Sequence, residues 1–314
     1  MIKRTIEISQ QPVHVTVKHA QLQLVGRDEA HTPLASIPCE DIGLLLVDEC
    51  GTTYTHAALA TLLEHDAAVV LCGRKHLPVG LLLPLGEHSQ VVWRIHDQLA
   101  VKRPLRKQLW QQIVRAKIAG QACNLAEGST ARARLVALIR QVRSGDPENV
   151  EGQAARFYWP ALFDDPAFRR DADGDGVNAL LNYGYAVMRA ALARAIVGAG
   201  LLPALGIHHA NRSNAFCLAD DLVEPLRPMV DARVRDLARM GQTELAPSTK
   251  RGLLELLAAP AQSAGQRGPL LVSLQRYVAS LVKCFEGTAQ RLDVPAAVAM
   301  NEPGTPGADE AEPA

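Results

Sequence analysis

The residue types best suited to chemistry lie in Gly206-Ile207-His208-His209-Ala210-Asn211 and, a short polar loop later, in Leu218-Ala219-Asp220-Asp221-Leu222-Val223-Glu224-Pro225. A histidine pair is thus followed by three carboxylates at helical spacing. Asp221 and Glu224 share a face at i, i+3, and Asp220 joins Glu224 at i, i+4. A fourth carboxylate, Glu151, stands in Asn149-Val150-Glu151-Gly152-Gln153-Ala154-Ala155-Arg156. Its helical neighbours Ala154, Ala155 and Tyr158 offer it no cation, and a carboxylate is costly to bury unless paired or bound to one. One imidazole plus carboxylates from separate segments is the donor set of a hydrolytic or phosphoryl-transfer metal centre. An oxygen-dominated set of this kind suits magnesium or manganese better than zinc. Each feature has a plainer explanation. Acids favour a helix start through the dipole, one histidine of a pair often packs while the other is exposed, and Glu151 could pair with an arginine of another helix. Crowded like charge still calls for a nearby cation, and the nearest in sequence is Arg227.

Other chemistries find less support. Asp171-Ala172-Asp173-Gly174-Asp175-Gly176 resembles the start of a calcium loop, but Asn182 stands where the bidentate glutamate belongs, so it reads as a polar turn. No dinucleotide fingerprint, phosphate-binding loop or Gly-x-Ser-x-Gly elbow occurs. Cysteines 39, 50, 72, 123, 217 and 284 form no Cys-x-x-Cys pair, which disfavours a zinc ribbon or disulfide scaffold and points to free thiols in a reducing compartment. The formal charge sums to zero, a weak argument against nucleic-acid binding. Its distribution argues the other way. Residues 102 to 117 carry Lys102, Arg103, Arg106, Lys107, Arg115 and Lys117 without one acid, while the end from Glu302 is acidic. That basic run, with Arg132, Arg134, Arg140 and Arg143, is a candidate surface for a nucleic-acid backbone, against the alternative of a solvated helix face. No apolar run approaches the roughly 20 residues of a membrane span, and the start lacks a secretory stretch, so a cytoplasmic protein without membrane contact is expected.

The elements that must position these residues fall into two kinds. Ile2, Ile6 and Ile8, then Val13, Val15 and Val17, then Leu22 and Leu24 alternate with polar residues, as half-buried strands do. Ile42 to Val47, Ala68 to Leu71 and Val79 to Leu83 read as further strands, with a short helix from about Thr55 to His65. From about Ser89 the period turns helical. Helices are predicted from near Pro104 through Ala122, over Ala131 to Val142, from Asp146-Pro147 as N-cap and first residue with Glu151 in the second turn, and over Val177 to Val197. Further helices are predicted over Asp220 to Met240, Thr249 to Leu257 and Pro269 to Phe285. The fold class is α+β: a small β-rich N-terminal domain (1–85) followed by a larger all-α catalytic domain (86–288), with a disordered acidic tail (289–314).

These pieces resemble one family, the integrases of CRISPR adaptation, which insert new spacers into the repeat array. Four segments carry the resemblance: Leu109 to Ile118, Asn149 to Tyr158, Asn178 to Ala186, and Gly206 to Pro228. The wording of the first and last is similar to the form found beside type II effector nucleases. The resemblance implies a magnesium or manganese ion held by Glu151, one histidine of the pair and Glu224, with Asp221 close by. Spacing to Glu224 in that form favours His209 over His208. It also implies attack of a 3′-hydroxyl on a phosphodiester at the edge of a repeat, with double-stranded protospacer and repeat DNA as substrates. The implied partners are a second copy of the chain, dimerised through the N-terminal domain, and a small ferredoxin-like second adaptation protein; the type II effector nuclease is a further candidate. The alternative is a catalytically silent DNA-holding assembly subunit whose acids only support helix ends.

Overall fold

The computed structural model describes residues 3–27, 32–74, 76–85 and 88–298. Ile2, expected in the first strand, and residues 299–314, including the acidic stretch from Glu302, lie outside them.

The N-terminal strands are β1 (Arg4–Ile8), β2 (Val13–Lys18), β3 (Gln21–Gly26), β4 (Pro33–Pro38), β5 (Ile42–Val47), β6 (Thr53–Tyr54), β7 (Ala68–Cys72) and β8 (Pro78–Leu82), with helix α1 (His56–Glu64) before β7. They form two four-stranded sheets, β1-β5-β7-β8 and β4-β3-β2-β6. In the first, β1, β5 and β7 run parallel and β8 closes the edge antiparallel. Thr55 caps α1 by accepting from Ala58 N. Strand β4 escapes apolar periodicity because Pro-Leu-Ala-Ser-Ile-Pro has no fully buried residue and touches the core only through Ile37.

Strand β5 explains why its six residues are uninterruptedly apolar. All six are buried, because Leu44 and Leu46 pack into the core of the helical part while Ile42, Leu45 and Val47 pack with Val13, Val15, Leu22 and Leu62. Ala68 and Val70 of β7 likewise face the helices, and Val69 faces the strands. The first sheet is therefore the seam of the molecule. Two buried polar contacts cross it. Lys250 pairs with Asp48, which also bonds His76 Nδ1 at 3.0 Å, and Arg194 donates to the Asp66 carbonyl.

The helical part comprises α2 (Val91–Ala100), α3 (Arg103–Cys123), α4 (Thr130–Gln141), α5 (Val150–Phe163), α6 (Val177–Gly198), α7 (Cys217–Val223), a 3-10 turn (Glu224–Leu226), α8 (Arg227–Arg239), α9 (Pro247–Leu254) and α10 (Leu270–Phe285). Helix α6 is its axis, buried along most of its length. Small residues let its neighbours approach: a Cβ at Gly184 would fall on Val230 of α8.

Four expectations need correction. The helical part is not all-α, since β9 (Pro260–Ser263) pairs antiparallel with β10 (Gln266–Pro269) and β11 (Ala296–Ala297). Residues 289–298 were expected in a disordered tail, yet Ala289, Leu292 and Val294 pack on the core and Ala296–Ala297 complete that small sheet. The helix over Asp220 to Met240 begins at Cys217 and is interrupted at Glu224, because Pro225 has no N–H to continue the ladder. Finally, α5 starts at Val150 with Asn149 as its cap, so Glu151 sits in the first turn. Asp146 and Asn149 both adopt left-handed φ, +47° and +51°, which turns the chain before the helix can begin.

Candidate active site

Glu151 is presented by a well-capped helix start. Asn149 Oδ1 accepts from Gly152 N at 3.1 Å, and Asp146 accepts from Val150 N at 2.9 Å and Glu151 N at 3.1 Å. The first-turn amides are thereby satisfied without the Glu151 carboxylate, which is free to reach across to α3. There it meets Lys117. The Lys117 ammonium lies 2.5 Å from Glu151 Oε1 and 2.5 Å from Glu224 Oε2, bridging acids from two other elements. Arg227 Nε is 3.0 Å from the other Glu224 oxygen as an ion pair, and its guanidinium lies over the Tyr185 ring.

The charges reinforce one another. Burial alone would push Glu224 up, but Lys117 and Arg227 outweigh it and hold its carboxyl below the usual range. Burial likewise opposes the Lys117 charge, and Glu224 and Glu151 together overcome it, raising its pKa. Both groups are therefore ionised across the physiological range.

The two histidines have different surroundings. The His208 ring stacks flat on Trp110, centroids 4.1 Å apart and planes 4° apart. His209 stands edge-on to the same indole and its Nδ1 lies 2.7 Å from Asp221 Oδ1. Asp221 is fully buried, and the loop before it folds around its carboxylate. Ile207 N and His208 N donate to Oδ2 at 2.5 and 3.0 Å, and His209 N donates to Oδ1 at 3.1 Å. Gly206 permits this wrap, since a Cβ there would strike the His209 carbonyl oxygen and come within 2.8 Å of Asp221 Oδ2. The Asp221 hydrogen bond, against partial burial, raises the His209 pKa. With Nδ1 engaged, Nε2 is the ring nitrogen left to face an incoming group, an arrangement typical of carboxylate-oriented metal ligands. Asp221 consequently orients the His209 ring, and both of its oxygens are engaged. Asp220 belongs elsewhere, with Asn214 Nδ2 at 2.6 Å and Arg189 Nη1 at 3.4 Å.

Beneath the acids lies a buried network. Tyr158 OH donates to Asp231 Oδ2 at 2.9 Å, Tyr185 OH donates to Oδ1, and Asn124 Nδ2 donates to Tyr158 OH at 2.8 Å. Burial dominates Asp231 and pushes its carboxyl up to about 6, although both phenols oppose the shift.

The structure thus brings Glu151 and Glu224 onto one cation and sets His209 and Asp221 as a pair beside Glu224. Among the described residues, no three His, Cys, Asp or Glu side chains stand close enough to hold an ion as they are. The donor chemistry fits a hard divalent ion, but the two acids are closed on Lys117. Placing Lys117 with Lys102, Arg103, Arg106, Lys107 and Arg115 on a DNA-facing run is corrected here: its side chain is 14% exposed and both its partners are acids. Its sequence position carried that signal, three residues after Val114 and four after Ile113, both buried. Arg115 is exposed but spends one guanidinium N–H on the Val142 carbonyl at 2.9 Å, whereas Lys102, Arg103 and Lys107 are exposed and Arg106 is half-buried. Trp110 and the Asp231 network escape sequence reasoning, because apolar periodicity marks Trp110, Tyr158 and Tyr185 only as core. The segment 171–176 is a polar turn in which Asn182 Nδ2 donates to the Ala172 carbonyl at 2.7 Å.

Residues 6–252 match the family described as CRISPR associated protein Cas1. The chain is 37% identical over 293 residues to the CRISPR-associated endonuclease Cas1 of Neisseria meningitidis serogroup C, covering 92% of this chain and 94% of that protein. It is 31% identical over 263 residues to a CRISPR-associated endonuclease Cas1 of Pyrobaculum aerophilum, covering 79% and 89%. In fold it is similar to a casposase bound to integration product, with a TM-score of 0.77 at 20% identity and 93% coverage of both chains. A Cas1 protein from Thermotoga maritima superposes with a TM-score of 0.70 at 16% identity over 90% of this chain and 97% of that one.

Proposed function

The chain belongs to the Cas1 family, and from that premise we propose that the cleft of Glu151, His209 and Glu224 holds magnesium or manganese and is where its DNA chemistry takes place. The protein is a CRISPR-associated endonuclease and integrase that inserts spacer DNA into the array. The observation that carries the site is the convergence of two carboxylates, from α5 and from the turn after α7, beside an imidazole oriented by a buried aspartate.

In the reaction the oxygen of a DNA 3′-hydroxyl bonds to phosphorus, and the bond from phosphorus to the leaving 3′-oxygen breaks. The proton lost by the attacking hydroxyl is balanced by one gained by the leaving oxygen, and no side chain is alkylated or phosphorylated. A bound divalent ion supplies neutralisation of phosphate charge and a lowered pKa for the attacking hydroxyl. The protein's part is placement. Asp221 fixes the His209 ring with Nδ1 bound and Nε2 free, Arg227 holds Glu224 from behind, and Asp146 with Asn149 fixes the start of α5 under Glu151.

Two solved relatives by fold are a Cas6-RT-Cas1–Cas2 complex and a TtCas1-DNA complex. By analogy, this chain works as a homodimer on double-stranded protospacer and repeat DNA, joined by a Cas2-like ferredoxin-fold partner, with exposed Lys102, Arg103 and Lys107 on the DNA backbone.

The test is Glu224→Ala in the full chain, read by strand transfer and by DNA gel shift side by side. Strand transfer should fall by about 10³-fold or more, with DNA affinity within about threefold of the parent. Equal loss of both would make Glu224 a structural member of an ion-pair cluster and remove the site assignment.

A further inference from the structure

One side chain in the cleft has no place among the ligands and is nevertheless at its centre. Lys117 comes from α3, a third element, and its ammonium touches one oxygen of Glu151 and one of Glu224 at equal distance. Among the described residues no other cation pairs with Glu151, while Glu224 has Arg227 on its second oxygen. A cation that bridges two buried acids sits between the oxygens a divalent ion would have to take. An ammonium and a divalent ion cannot share that position, since both are positive and the cleft is largely shielded from water.

We propose that Lys117 is an exchange cation: it occupies the cation position of the Glu151–Glu224 cleft in the metal-free protein and is displaced when a divalent ion binds. This rests on the metal-site reading above. It also accounts for why no three donors among the described residues are closed around an ion position, as the acids are drawn onto the ammonium instead. Without a cation, Glu151 and Glu224 would repel each other across the junction of α3, α5 and the turn after α7. Lys117 removes that repulsion and keeps both carboxylates pointed inward. The flexible four-carbon stem suits a cation that must leave, where a planar bidentate guanidinium would hold both acids more firmly. Lys117 is thus a positioning residue, acting through the two acids.

The full-length chain is titrated with manganese alone, and free ion is read by its paramagnetic resonance signal, so that no activity enters the measurement. Lys117→Gln, of similar length and no charge, should bind manganese about tenfold more tightly than the parent, because nothing competes for the acids. In chelator the same variant should melt lower than the parent, since Glu151 loses its ion-pair partner and Glu224 keeps only Arg227. A merely structural lysine gives the opposite affinity change, so unchanged or weakened manganese binding by Lys117→Gln overturns the proposal. If Lys117→Gln does not fold in chelator, Lys117→Arg decides the matter. It should bind manganese several-fold more weakly than the parent, and unchanged or tighter binding overturns the exchange. Glu224→Gln separates the two layers. Loss of manganese binding there keeps the metal-site reading in force, whatever the lysine variants do. Manganese binding untouched by Glu224→Gln places the ion elsewhere, and both readings fall.

Discussion

Asp221 accepts three backbone N–H groups and the His209 ring within a fully buried pocket. Replacing it with asparagine turns one acceptor oxygen into an NH2 group facing donors, and leaves the His209 ring without its charged partner. Asp221→Asn should therefore lose about 2–4 kcal/mol of stability and weaken manganese binding about 10–100-fold. Thermal melting in chelator and a manganese titration check the two effects separately; loss of stability with unaltered manganese affinity would remove Asp221 from the ligand-orienting role. Asp231 makes a different prediction, about pH. Its folded pKa of about 6 lies above the ordinary carboxylate value of 3.8, so between those values the folded state holds a proton that the unfolded state has lost. The associated stability is complete below the unfolded value and disappears as pH rises through 6, about 3 kcal/mol in all. Urea unfolding at about pH 4.5 and about pH 7 should show about 2 kcal/mol of this loss in the parent and a clearly smaller change in Asp231→Asn. At this scale the sequence disclosed the acids and histidines by type and spacing. It did not disclose that Asp221 faces backbone amides, because that depends on which loop lies opposite, whereas the inward turn of Lys117 is legible in its spacing to the buried Ile113 and Val114.

Among the elements, the first sheet carries the connection between the β-rich and helical parts, with β5 buried on both faces. The uninterrupted apolar run Ile42 to Val47 announces burial on both sides, and alternation elsewhere announces strands with one wet face; this much is written in the sequence. The helix from 217 to 239 shows where such reading stops. Its apolar stripe continues through Pro225, so periodicity alone gives one long helix, whereas the missing N–H makes a 3-10 turn that sets Glu224. The sheet β10-β9-β11 was hidden for a related cause: its strands are four, four and two residues long, too short for a period to register. The seam also contains the buried Asp48–Lys250 pair. Lys250→Ala leaves Asp48 uncompensated except by His76 and should cost about 3–5 kcal/mol, whereas Asp48→Asn combined with Lys250→Met should recover most of it. Denaturant midpoints of the two variants measure this, and equal loss in both would mean the pair matters through packing alone.

Over the whole molecule, zero net charge conceals a basic run on α3 and its approach, from which Lys117 must be subtracted. The remaining cations of that run are exposed or half-buried, and are proposed to meet the DNA backbone. Reversing Arg106 and Lys107 to glutamate should weaken DNA binding and reduce the slope of log affinity against log salt by about 2, one unit for each phosphate no longer neutralised. An unchanged slope would move the DNA surface off this stretch. Among the described residues no helix is long and apolar enough to cross a membrane. The four segments that carry the family resemblance lie in the helical part, but the resemblance itself runs from the N-terminal strands to about Phe285, and the family match covers residues 6–252.

Joining of DNA at this cleft through a divalent ion is the activity proposed for the protein. The decisive measurement is transfer of a short duplex with 3′-hydroxyl ends into a plasmid, run with manganese, with chelator, and with Glu151→Ala in manganese, the second adaptation protein present throughout. Joined products with manganese and the intact chain alone are the predicted result. Products that persist in chelator or with Glu151→Ala would contradict it, as would tight DNA binding with no joining in manganese.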